Sequence, residues 1–83
     1  MDRSKIGILA PDYEQAVLYY RYAVNRNDVH SMYRLALCYQ DGRGVNQDYD
    51  QALTLLQNAA KFGNKEAKAA LERLNAELHK KAS

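Results

Sequence analysis

The side chains able to do chemistry are few and scattered. His30 and His79 are the only histidines and Cys38 the only cysteine, and no set of Cys, His and carboxylate residues has the spacing of ligands around a metal ion. Gly42-Arg43-Gly44 has the glycines of a phosphate loop but lacks the Lys-Ser or Lys-Thr that would reach the phosphates, and it is fully explained as a hinge. Ser4, Ser31 and Ser83 stand in no recognisable motif with a base and an orienting acid. The expectation is a chain that is not an enzyme and holds no cofactor and no metal. Cys38 lies among apolar neighbours and reads as a small buried hydrophobe rather than a reactive thiol. A single cysteine cannot close a disulfide within the chain, which suits a reducing compartment.

Composition narrows the classes further. At 83 residues the chain has room for one small domain with a modest core and little space for a catalytic cleft. Its 12 basic and 10 acidic residues are interspersed, so the net charge of +2 makes no basic field of the kind that nucleic acid requires. Lys80 and Lys81 read as a solvated end. The N-terminal stretch MDRSKIGILAP has too few apolar residues for the core of a signal peptide, and no stretch approaches a membrane span. Nucleic acid and membrane are therefore not expected partners, and the expected location is cytoplasmic.

The elements that must position any functional surface are helices. Met32, Leu35, Ala36 and Tyr39 recur at the i, i+3, i+4, i+7 spacing of one buried stripe, and Ala52, Leu55, Leu56, Ala59 and Ala60 do the same. Between these stripes, Gly42 and Gly44 supply the positive φ with which helices commonly stop. Val45 is the one apolar residue of the hinge and is expected to plug the space between the helices. Asp48, three residues before Gln51, has the spacing of a capping box for the next helix. Asp28 and Asn64 read as caps in the same way.

This punctuation repeats. Asp12, Tyr13, Gln15, Ala16 and Ala23 match Asp48, Tyr49, Gln51, Ala52 and Ala59 at one offset, 48 − 12 = 36 residues, and the same offset carries Ser31 and Leu35 onto Ala67 and Leu71. A period of that size is the signature of a stacked repeat. The spacing predicts an all-α chain of about four helices, near residues 12–26, 28–40, 48–62 and 65–80, preceded by an irregular segment 1–10.

Read in order, Ser31, Leu35, Ala36, Tyr39, Gly42, Gly44, Val45, Asp48, Ala52, Ala59, Ala60 and Gly63 fall on the pattern of the SLR (Sel-like repeat) family, relatives of the tetratricopeptide repeats. The chain resembles that family over about residues 12 to 78. Leu55 replaces the family's usual aromatic residue, which Tyr19 keeps in the earlier copy. The resemblance implies a short αα-solenoid of tetratricopeptide or Sel-like type, divided as a half repeat 12–30, a full repeat 31–66 and a capping helix 67–80 within one domain, 11–83. Glu72 and Asn75 stand where the family has a small residue and a tyrosine, polar positions that suit a terminal helix.

What the resemblance implies about function is a protein–protein interaction module, a small scaffold or adaptor that binds a peptide or protein on its concave helix face. The alternative is an inhibitory or immunity-type protein that blocks another macromolecule's active site. By analogy with tetratricopeptide packing, helix 28–40 lines the concave side and presents His30, Tyr33, Arg34, Leu37 and Gln40. The offset places Ala69, Arg73 and Ala76 beside them on the last helix. Arg34 and Arg73 are expected to clamp a carboxylate of an acidic or C-terminal peptide. The first helix is unusually aromatic, and Tyr19, Tyr20 and Tyr22 are the expected edge for a homodimer or partner, partly roofed by Ile6, Ile8 and Leu9.

Overall fold

The computed structural model describes residues 12–82, and among these it contains four helices and no strand. They are α1 (Tyr13–Val24), α2 (Val29–Asp41), α3 (Tyr49–Lys61) and α4 (Lys65–Ala82). The expectations for residues 1–10 and for the roof of Ile6, Ile8 and Leu9 lie outside what the structure describes, as does the side-chain exposure of Lys81. Consecutive helices pack against one another, with α2 on α3 the most extensive contact, then α3 on α4 and α1 on α2. The result is the expected all-α, short helical-repeat solenoid.

Each helix begins on the same device. The side-chain Oδ1 of Asp12, Asp28, Asp48 and Asn64 accepts from the backbone N–H three residues on, at Gln15, Ser31, Gln51 and Ala67, over 2.7 to 3.2 Å. Each cap satisfies one of the donors that the first helical turn leaves open. These residues cap and do not join the helices, so α1, α2 and α3 begin at 13, 29 and 49 rather than at the cap, and α4 begins at 65 as expected.

The ends repeat as faithfully. The N–H of Asp28 donates to the Ala23 carbonyl and that of Asn64 to the Ala59 carbonyl, each over 3.0 Å, a six-residue closure of the helix C-terminus. The residue that turns left-handed inside this closure is Gly63 (φ 97°) in the later copy and Asn27 (φ 66°) in the earlier one. Asparagine tolerates this region better than other residues that carry a Cβ, and the turn ends α1 at Val24 instead of Arg26.

The core is one continuous cluster. Val17 of α1, Met32, Leu35, Ala36 and Cys38 of α2, Ala52, Leu55, Leu56 and Ala59 of α3, and Ala67, Ala70 and Leu74 of α4 are buried together. Five of these twelve are alanines, which lets neighbouring backbones approach closely. Val45 is half-buried against the cluster, as its place in the hinge suggests. Tyr39 is also half-buried, and its hydroxyl accepts from Arg21 Nη2 of α1 at 2.8 Å.

The hinge is where the helix pairs lock. Gly42 ends α2 with φ 69°, the Asp48 N–H returns to the Tyr39 carbonyl at 2.9 Å, and Gln47 Nε2 donates to the Gln40 carbonyl at 2.9 Å. Gly44 then passes so close to the start of α1 that an added Cβ would lie 2.5 Å from the Tyr13 carbonyl oxygen and 2.6 Å from its carbon, with φ at +78°. Both the dihedral and the backbone contact exclude a side chain.

Gly63 has a comparable φ but nothing within 4 Å of its missing Cβ. Gly44→Ala is therefore expected to lower the unfolding free energy by about 2–4 kcal/mol and Gly63→Ala by only about 1 kcal/mol, as read from urea denaturation. Equal losses at the two positions would show that the approach to α1 does not constrain the hinge.

Candidate interaction cleft

The candidate residues on α2 divide by helical face. Met32, Leu35 and Ala36 point into the core, while His30 and Arg34 are exposed and Leu37 and Gln40 are half-buried. His30 and Arg34 are one turn apart, and Arg34 Nε donates to His30 Nε2 at 3.4 Å. Tyr33 is half-buried against the core cluster, so part of its ring supports the fold. On α4, Ala67, Ala70 and Leu74 are buried, and Ala69, Arg73 and Ala76 are exposed on the opposite face.

Arg34 and Leu37 also belong to a concavity that the sequence does not reveal. A cleft of about 430 Å³ opens between α1 and α2, with Asp12, Tyr13, Ala16 and Tyr20 on the α1 wall and Arg34, Leu37, Cys38 and Asp41 on the α2 wall. Arg43 of the hinge closes one end. Its guanidinium carbon lies 5.3 Å from the centre of the Tyr13 ring, Nη1 donates to the Tyr13 hydroxyl at 3.0 Å, and Nε is 3.9 Å from Asp41 Oδ2. These contacts, partly exposed and individually small, brace the hinge against α1 at the point where Gly44 touches it. The cleft thus brings Arg34 and Leu37 together with Tyr20, three candidates that the sequence assigns to two separate surfaces. Ala69, Arg73 and Ala76 do not line this cleft.

Charge at the cleft is balanced. Two guanidinium groups, of Arg34 and Arg43, and two carboxylates, of Asp12 and Asp41, ring a floor of alanine, tyrosine, leucine and cysteine. Such a surface gives an apolar contact with a few polar anchors, the usual make-up of a binding concavity.

The aromatic edge of α1 is also divided. Tyr19 and Tyr22 are each 60% exposed, together with Leu18 at 62%. Tyr20 turns toward the cleft and the core, and its ring meets Tyr19 edge to face at 6.0 Å between centroids. The Arg26 guanidinium lies 5.4 Å from the Tyr22 ring centre.

Cys38 is buried, and burial pushes its thiol up from the ordinary value, against the opposing pull of Arg43. A raised value in the folded state means that the thiol's contribution to stability is intact below the ordinary cysteine range. It is lost as pH climbs through that range, because the unfolded chain ionises first. Alkylation of native Cys38 at pH 8 is accordingly expected to be at least about tenfold slower than in urea-unfolded protein. Equal rates in the two states would show an accessible thiolate.

Asp12, Tyr13, Ala16, Asp41 and Arg43 have no place among the sequence's candidates. The offset of 36 does flag Asp12, Tyr13 and Ala16, but as repeat positions and not as a wall. Among the described residues no helix is long and apolar enough to cross a membrane, and no group of three or more His, Cys, Asp and Glu residues could hold a metal ion.

Helices capped alike at a fixed offset and packed on their chain neighbours define a helical-repeat protein. The Sel1 repeat profile matches residues 4–28 and again 29–64, and the chain belongs to that family. Sel1 repeats are typically protein–protein interaction modules and, as a family, non-catalytic scaffolds. Among curated proteins, the chain is 33% identical over 63 residues to DAP3-binding cell death enhancer 1 of Rattus norvegicus, and equally so to that of Mus musculus. Each alignment covers 76% of this chain, which spans only 12% of the length of these relatives. No solved structure matches.

Proposed function

We propose that this chain is a non-catalytic scaffold or adaptor that takes a protein or peptide partner on the open side of α2, starting from the cleft it forms with α1. The observation that carries this reading is the cleft itself: an apolar floor with Arg34 at its lip, on a fold whose family is built for protein contacts. The curated relatives are named for binding another protein, DAP3, which is in keeping with a module of this kind.

From the cleft the partner continues along the outward face of α2 over His30, Leu37 and Gln40, with the rim of Tyr33. Arg73 of α4, flanked by Ala69 and Ala76, is a second anchor for an acidic segment. The reading also places the chain in the cytoplasm, where a single buried thiol stays reduced. Whether the bound partner is organised or inhibited is decided by the partner, and the same surface serves the immunity-type alternative.

A photo-crosslinking residue substituted for Leu37 is expected to trap a discrete partner in cells, whereas the same residue in place of exposed Thr54 on α3 traps none. Arg34→Glu is expected to weaken the trapped complex by about tenfold, or roughly 1.4 kcal/mol, with an unchanged melting midpoint because Arg34 is exposed. Arg73→Glu reads the extension onto α4 in the same assay. Tyr33→Ala is the poorer probe, since its half-buried ring would mix stability with binding. Trapping from Thr54 and not from Leu37 would move the site to the other side of the stack.

A further inference from the structure

The two copies of the repeat differ in one respect that describes what fits the cleft. At the offset of 36, Ala52, Leu55, Leu56 and Ala59 of α3 correspond to Ala16, Tyr19, Tyr20 and Ala23 of α1. The α3 stripe is closed, with no member more than 8% exposed. Of the four α1 counterparts only Ala23 is buried; Ala16 and Tyr20 are half-buried and Tyr19 stands out in solvent.

Packing supplies the cause. α3 lies between α2 and α4, whereas among the described residues α1 packs on α2. The cleft is therefore the place that a helix would occupy if the α2–α3 contact were carried one repeat earlier.

We propose that this slot takes a single amphipathic helix from a partner protein, seated as α2 is seated on α3. This rests on the interaction-module reading and says what kind of partner segment it receives. Continuity with the internal interface gives the geometry: an apolar stripe at i, i+4 and i+7 with a small residue in the middle, as Met32, Ala36 and Tyr39 provide in α2.

Two substitutions between the copies then set the chemistry. Tyr19 and Tyr20 replace Leu55 and Leu56, so the visiting helix must be slimmer than α2 where the rings stand. Arg34 stands at the position of Ala70, so the slot carries a guanidinium where the later copy carries a methyl group. Among the described residues the Arg34 side chain donates to the His30 nitrogen at 3.4 Å, and a carboxylate on the visiting helix is the stronger acceptor.

The test uses two hydrocarbon-stapled peptides of residues 28–42, both carrying Cys38→Ser and differing at one position, Tyr33→Glu or Tyr33→Lys. That position lies on the flank of the apolar stripe, where the visiting helix would pass Arg34. Fluorescence anisotropy against the full chain is expected to show saturable binding of the Glu peptide, at least about fivefold tighter than the Lys peptide.

Arg34→Glu in the protein is expected to reverse that order, and Ala16→Arg, which fills the floor, to abolish both. Should Ala16→Arg lower the melting midpoint, the reversal at exposed Arg34 still decides. No binding, or equal binding insensitive to Arg34→Glu, overturns the proposal. So does binding that appears only after Ile6, Ile8 and Leu9 are all changed to Ser, which would give the slot to the chain's own N-terminal segment. A peptide-excluding homodimer in sedimentation would give it to a second copy. If the Leu37 crosslink persists while both peptides fail, the interaction-module reading stands and the helical occupant alone falls.

Discussion

The backbone of Gly44 against the backbone of Tyr13 sets the spacing of this molecule. A hinge that touches the start of the previous helix at less than a side chain's width fixes the distance between the C-terminal end of α2 and the N-terminal end of α1. Everything that makes the cleft follows from that distance. Arg43, the residue before the contact, is delivered onto the Tyr13 ring, and Asp12, which caps α1, is delivered to the cleft wall. No side chain can occupy position 44, so the contact cannot be loosened by repacking. The polar contacts around it are exposed and weak individually, and steric exclusion carries the constraint.

Most of the fold is readable from punctuation. Asp12, Asp28, Asp48 and Asn64 each cap a helix, the glycines at 42, 44 and 63 turn left-handed, and the offset of 36 ties the copies together. Local rules suffice for the caps and the glycine turns because each acts within about one helical turn. The misses at the helix ends have the same origin. A cap residue belongs to the pattern but not to the helix, and Asn27 does at the end of α1 what Gly63 does at the end of α3 without looking like it.

The cleft was only half legible. Arg34 and Leu37 stand out because a helical wheel turns them outward, a property of α2 alone. That Tyr20 faces the same space depends on how α1 is set against α2. Arg43 looks like a spacer between two glycines until the hinge is seen to lean on Tyr13. Residues whose role depends on two elements meeting carry no periodic signal, and for that reason Asp12, Tyr13 and Ala16 of the α1 wall are not legible in the sequence as a wall.

Because each helix among the described residues rests chiefly on its chain neighbours, cohesion in this molecule is close to that of a stack of rungs, dominated by local terms. The rungs are unequal. Among the described residues α3 is gripped on two sides and α1 and α4 on one each, so the outer rungs fray first, and opening at α1 leaves the α2–α3–α4 stack standing. A visitor on the open side of α1 would then do more than make contact. By gripping the outermost rung on its second side it would raise the opening cost of the whole first layer, and occupancy would be registered as rigidity passed one helix inward.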